Sequence, residues 1–114
     1  MSHRRTVPDG AIVLDPTDEF ERILIGMAEM HRVKTALYGA RGDSMANFYN
    51  VAQAEGITPL QAVSALGAKH RSVKREITWG GREPHDGAGD DAAIDDCVYS
   101  VLWHMMYDRM RGTP

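Results

Sequence analysis

Two aspartates one helical turn apart, Asp91 and Asp95, stand at the head of an apolar run through Ile94, Val98, Leu102, Met105 and Met106. Residues three and four apart share a helix face. Both carboxylates therefore fall where an amphipathic helix would place leucine, while Asp96 and His104 turn away. Desolvating a carboxylate costs several kcal/mol unless it is paired or bound to metal. A partner for this pair is expected.

Basic groups recur at equivalent places in two other segments. The stripe Phe20, Ile23, Leu24, Met27 continues to His31, Lys34 and Tyr38, and the stripe Leu60, Val63, Gly67 continues to His70, Arg71 and Lys74. Three segments thus change from apolar to ionisable along an inward face. Brought together, they would line a half-acidic, half-basic pocket. Carboxylate oxygens hold Mg²⁺ or Mn²⁺ and cationic groups neutralise phosphate, which is what a metal–polyphosphate ligand requires. The same residues allow a structural alternative, in which Asp91 and Asp95 pair with Arg71 and Lys74 and only hold helices together.

Other chemistry finds little support. The histidines His3, His31, His70, His85 and His104 are scattered, and no Cys-x-x-Cys or His-x-x-x-His spacing suggests zinc. No Gly-x-Ser-x-Gly or phosphate-loop pattern is present. Cys97 on a helix flank reads as a small packing residue rather than a nucleophile. Trp79 and Arg82 could close over a base or a phosphate, although a tryptophan after an amphipathic helix is more often packing. The basic run from Lys69 to Arg75 lacks the aromatic or further basic neighbours of a nucleic-acid face.

The elements that must position these groups are helices. Asp15-Pro16-Thr17-Asp18 predicts a helix start, with Asp15 as cap and Pro16 in the first position. This first helix should end by Gly39. Asp43 or Ser44 should cap a second, shorter helix carrying Met45, Asn47, Phe48, Val51 and Ala52, closed by Gly56. Thr58-Pro59-Leu60-Gln61 has capping-box spacing and opens a third helix. Trp79 to Gly89, with Gly80, Gly81, Gly87 and Gly89, reads as a mobile loop, and a fourth helix runs from about Asp90 to about Arg109. The fold class predicted is all-α, a four-helix bundle over residues 15–111. Residues 1–14 should form an N-terminal arm, extended on the body or as a short edge strand.

Composition agrees with such a domain. The chain has 114 residues, 43% of them hydrophobic and 25% charged, enough for one core. The net charge of −3 argues against a dedicated nucleic-acid binder. A single cysteine points to a reducing, cytoplasmic setting. No apolar run approaches the ~18 residues of a membrane span, and the N-terminus lacks the apolar core of a signal peptide. In the last helix Trp103, Met105, Met106 and Tyr107 put apolar residues on more than one side, which suggests a homodimer or higher homo-oligomer.

Three segments together resemble a family. Asp91-Ala92-Ala93-Ile94-Asp95-Asp96-Cys97-Val98-Tyr99 is similar to the D-x-x-x-D-L-A-x-Y signature in the last helix of small MazG-like proteins. Lys34-Thr35-Ala36-Leu37-Tyr38-Gly39, followed by Asn47-Phe48, is similar to their K-x-x-x-Y-G … N-F segment, and the basic third helix lies between. These are relatives of the all-α nucleoside triphosphate pyrophosphohydrolases, many of them encoded by bacteriophages and bacteria. The resemblance covers roughly residues 18–108. It implies an oligomeric bundle that binds a nucleotide with Mg²⁺, and a hydrolase activity releasing a monophosphate and pyrophosphate. Carried over by position, Asp91 and Asp95 become metal ligands and, with Lys34, the catalytic group. Lys34, Tyr38 and Asn47 lie at the nucleotide, and Arg71 and Lys74 meet phosphates, with His70 beside them. Classical members also carry a Glu-Glu-x-x-Glu cluster on an earlier helix. Here Glu19, Glu21 and Glu29 lie off the apolar stripe. With two carboxylates instead of four, two-metal activation of water is hard to assemble, so binding is expected ahead of hydrolysis. The rival expectation is a catalytically inactive interaction module that grips a partner through the fourth helix.

Overall fold

A computed structural model describes residues 12–38 and 45–112, with the side chains of Thr35, Leu37 and Tyr38 outside the described set. It contains four helices and, among the described residues, no strand: α1 Glu19–Tyr38, α2 Ala46–Glu55, α3 Pro59–Gly80 and α4 Ala88–Met110. The chain is an all-α bundle. No helix among the described residues is long and apolar enough to cross a membrane.

The start of α1 falls one turn later than expected. The Asp15 carboxylate accepts from the Thr17 amide at 2.9 Å and the Thr17 hydroxyl at 2.7 Å, an Asx turn that keeps Pro16 outside the helix. Those two bonds hold the Asp15 carboxyl below the ordinary carboxylate range, the hydroxyl having the larger effect. Asp18 becomes the cap instead, accepting from the Glu21 amide at 2.9 Å. Before it, Ile12 and Val13 are exposed, so this part of the arm is neither a strand nor laid on the body. Residues 1–11 lie outside the described set.

Local chemistry fixes the middle of the chain as the sequence indicates. Gly56 ends α2 at φ 68°, a left-handed conformation that favours glycine. Thr58 and Gln61 form a reciprocal capping box at 3.1 and 2.9 Å, with Pro59 in the first turn of α3. The cap position of α2 is Met45, whose side chain makes no capping hydrogen bond; Asp43 and Ser44, the expected caps, lie outside the described residues. Helix α3 continues through Trp79 to Gly80, so the loop before α4 is shorter than expected. That loop is also tied down, because the Glu83 carboxylate accepts from the Gly89 amide at 2.9 Å and serves the uncapped start of α4.

The core lies among three helices. Met45 and Phe48, Ala62 and Val63, and Leu102 and Met106 bury together with Ala52, and Leu60, Leu66, Val98 and Tyr99 pack against them. Helix α1 stands apart from this cluster and leans on α4. None of its described side chains is buried, and Phe20 and Ile23 are 70% and 51% exposed.

Candidate functional site

Helix α4 faces two neighbours at once. Its turn through Asp96 and Tyr99 meets α3, and its turn through Asp95 and Val98 meets α1. The crossing with α3 is close because Gly67 carries no side chain. A Cβ there would lie 3.0–3.2 Å from the Tyr99 ring and Cβ. Tyr99 is thereby seated with its ring edge-on to Phe48, at 77° and 6.0 Å, and tilted against His70 at 5.1 Å.

Around this ring, ionisable groups from three helices converge. The Asp95 carboxylate meets Lys34 Nζ of α1 at 3.1 Å through one oxygen and His70 Nδ1 of α3 at 3.8 Å through the other. Lys74 of α3 pairs with Asp96 at 3.0 Å. Burial pushes the Tyr99 phenol above its ordinary pKa; the Asp95 charge adds to this and Lys34 opposes it. The phenol therefore shares its surroundings with the Lys34–Asp95 pair and stays a neutral donor at physiological pH.

Of the expected residues, the structure brings Lys34, His70 and Asp95 together. Lys74 is one turn on, against Asp96, which faces α3 instead of turning away as expected. The expected structural pairs of Asp91 and Asp95 with Arg71 and Lys74 do not form. Arg71 instead reaches back to the Ser64 carbonyl at 3.5 Å, on a groove of about 240 Å³ shared with Val63, Ser100 and Trp103. Asp91 is exposed and has no side-chain partner among the described residues. Asn47 is exposed on α2, and the Tyr38 side chain lies outside the described set. Tyr99 is no candidate site residue of the sequence reading and enters it only as the last residue of the Asp91–Tyr99 segment; Gly67 on one inward face and an aromatic on the facing one are the further signal for it.

The pairs are shallow. Lys34 is half exposed and Asp95 a quarter exposed, and such pairs contribute ~0–1 kcal/mol. They cannot be what holds the bundle together, and an incoming anion can displace them at little cost. Among the described residues no three His, Cys, Asp or Glu side chains gather as a ligand set. Asp91 and Asp95 are two carboxylates one turn apart on α4, fewer oxygen donors than a metal held by protein alone takes. Searches against protein families, curated proteins and solved structures find no match to this chain.

Proposed function

We propose that the protein binds a nucleoside triphosphate together with Mg²⁺, or Mn²⁺ in its place, on the MazG-like plan, and that turnover, where it occurs, releases a monophosphate and pyrophosphate. One observation carries this reading: a partly buried Asp95 is bracketed by Lys34 from α1 and His70 from α3. Asp91 and Asp95 would hold the cation, which supplies charge neutralisation to the phosphates. Lys34, His70 and Lys74 exchange their carboxylate partners for phosphate oxygens, with Arg71 swinging from the neighbouring groove. The Tyr99 phenol donates to an anion at the same mouth. The proposal places the protein in the cytoplasm, where nucleotides are abundant and the free, exposed Cys97 stays reduced.

The test is thermal unfolding with Mg²⁺ and a panel of ribo- and deoxyribonucleoside triphosphates. A ligand at a hundred times its Kd stabilises the folded state by about 2.7 kcal/mol, which raises the midpoint by several degrees in a chain of this size. Asp95→Asn should abolish the shift. No shift with any triphosphate overturns the proposal. A pyrophosphate-release assay then separates binding from hydrolysis.

A second reading, an interaction module without catalysis, is favoured by a different observation, the uncovered apolar face of α1. It predicts no response to nucleotides.

A further inference from the structure

The groove between α3 and α4 carries a charge that the chain leaves without a counterpart. Arg71 of α3 and Ser100 and Trp103 of α4 line it, with Val63, Ser64 and Tyr99, around about 240 Å³. Lys34 and Lys74 each hold a carboxylate, at 3.1 and 3.0 Å. Arg71, one turn before Lys74, holds none among the described residues. Its hydrogen bond to the Ser64 carbonyl, at 3.5 Å, is longer than the about 2.7–3.2 Å of a well-formed one. Most donors of its planar fork are therefore unused. No carboxylate lines the groove, so this cation is the one formal charge there.

Rings supply the rest of its chemistry. Trp103 stacks on Tyr107 at 5.2 Å and 11°, and the Arg111 guanidinium stands 4.4 Å from the Tyr107 ring centre. Successive members of this set are one helical turn apart on one line of α4. Guanidinium, phenol and indole thus form a column that runs to the groove, and Arg71 faces its end from α3. Tyr107 takes one face of the indole, so Trp103 lends the groove the remainder of its surface. Aromatic rings stack offset on one another at ~4.5–7 Å, and guanidinium planes stack on rings. A flat ring between Trp103 and Arg71 would continue the column, over an apolar floor of Val63 and Tyr99. Ser100 narrows the choice further. Its hydroxyl donates to the Asp96 carbonyl at 3.1 Å. A hydroxyl has a single proton, so toward a ligand Ser100 offers lone pairs alone. Those lone pairs suit a ring that carries an N–H or O–H.

One cation without a neighbouring anion fits a monoanion, and the planar fork of arginine matches a carboxylate through two parallel bonds. The volume lies below the ~300 Å³ at which ligand pockets commonly begin, which limits the ligand to one ring or a fused pair. We infer that the α3–α4 groove binds a small planar aromatic carboxylate bearing a ring N–H or O–H. Arg71 exchanges the Ser64 carbonyl for the carboxylate, Trp103 stacks on the ring, and Ser100 accepts the ring proton donor. The site does not rest on the nucleotide reading. One consequence does: Arg71 cannot meet a phosphate while it holds a carboxylate, so the aromatic acid weakens nucleotide binding.

Titration of the full chain with indoleacetate, without nucleotide or metal, tests the site by calorimetry and by the side-chain N–H signals in nuclear magnetic resonance. The Trp103 signal should move, and that of Trp79, 84% exposed near the end of α3, should not. Arg71 and Trp103 are both exposed, so their variants keep the fold. Arg71→Gln should weaken binding about tenfold or more, the loss of a charge-assisted pair. Trp103→Leu should weaken it severalfold through the lost stacking. Arg75→Gln removes a cation of the same helix outside the groove and should leave binding unchanged. Indoleacetamide keeps the ring without the charge and should bind about tenfold less tightly; cyclohexylacetate keeps the charge without the flat ring and should bind severalfold less tightly. An unmoved Trp103 signal overturns the inference, as does binding indifferent to Arg71→Gln or an amide that binds as well as the acid. Tighter binding of phenyl phosphate, a dianion, would overturn the assignment to a carboxylate. Acid binding by a protein that shows no nucleotide-dependent shift leaves the groove standing and removes the nucleotide reading. A nucleotide-dependent shift indifferent to saturating acid removes the link through Arg71.

Discussion

Tyr99 reports on the candidate site without any ligand. Its ring is fixed by the absence of a side chain at Gly67, and its phenol is raised above the ordinary value of 10.0 by burial first and by Asp95 second, with Lys34 working the other way. The neutral phenol is thus favoured by the fold. Its contribution to stability is intact below pH 10 and is lost as pH rises past 10 through the higher folded-state value. In a spectroscopic titration, Tyr99→Phe should remove a late-ionising tyrosine and lessen the loss of stability in that alkaline window. Asp95→Asn should move the same ionisation down and Lys34→Met should move it up. If neither substitution moves it, Lys34 and Asp95 do not surround the phenol in solution. The stability of either variant near neutral pH should change by less than about 1 kcal/mol, because the pair is exposed to solvent.

At the scale of the elements, the fold was most legible where the chemistry is local. The Thr58–Gln61 box, Pro59 and Gly56 each answer a backbone requirement within a few residues, and the corresponding ends of α2 and α3 fall where they indicate. The first cap falls at Asp18 instead of Asp15 because both offer the same carboxylate, and only the Asx turn to Thr17 decides between them. Asp96 departs from expectation for a geometric reason. A single-stripe reading gives α4 one inward face, whereas the helix has two, Asp95 toward α1 and Asp96 with Tyr99 toward α3. The site was legible in part: residue types and spacing pointed to Lys34, His70 and Asp95, but spacing does not reveal which neighbour a face meets. The close crossing that separates those two faces gives a prediction. Gly67→Ala drives a Cβ to 3.0–3.2 Å from Tyr99 atoms, including its own Cβ, which cannot retreat without moving α4. Overpacking costs ~1–3 kcal/mol, against a gain of up to about 1 kcal/mol in helix propensity. The variant should be destabilised in urea unfolding; a neutral or stabilised variant would mean that the two helices have room to separate.

Across the whole molecule, burial is uneven, and the unevenness says where stability resides. Met45, Val63 and Met106 are the largest fully buried side chains, and they join α2, α3 and α4 in one cluster. Helix α1 contributes no buried residue to it, although its stripe from Phe20 to Met27 is as regular as any in the sequence. Periodicity identifies an apolar face but not whether its partner lies in the same chain. The two ends of this distribution should respond differently to truncation. Met106→Ala removes a fully enclosed side chain, loses its transfer free energy and leaves a cavity, so it should cost ~2–5 kcal/mol. Phe20→Ser removes a larger side chain that is 70% exposed, and it should cost no more than about 0.5 kcal/mol. Urea unfolding at a concentration low enough to exclude self-association measures both. Comparable losses would place α1 inside the cooperative core with α2, α3 and α4.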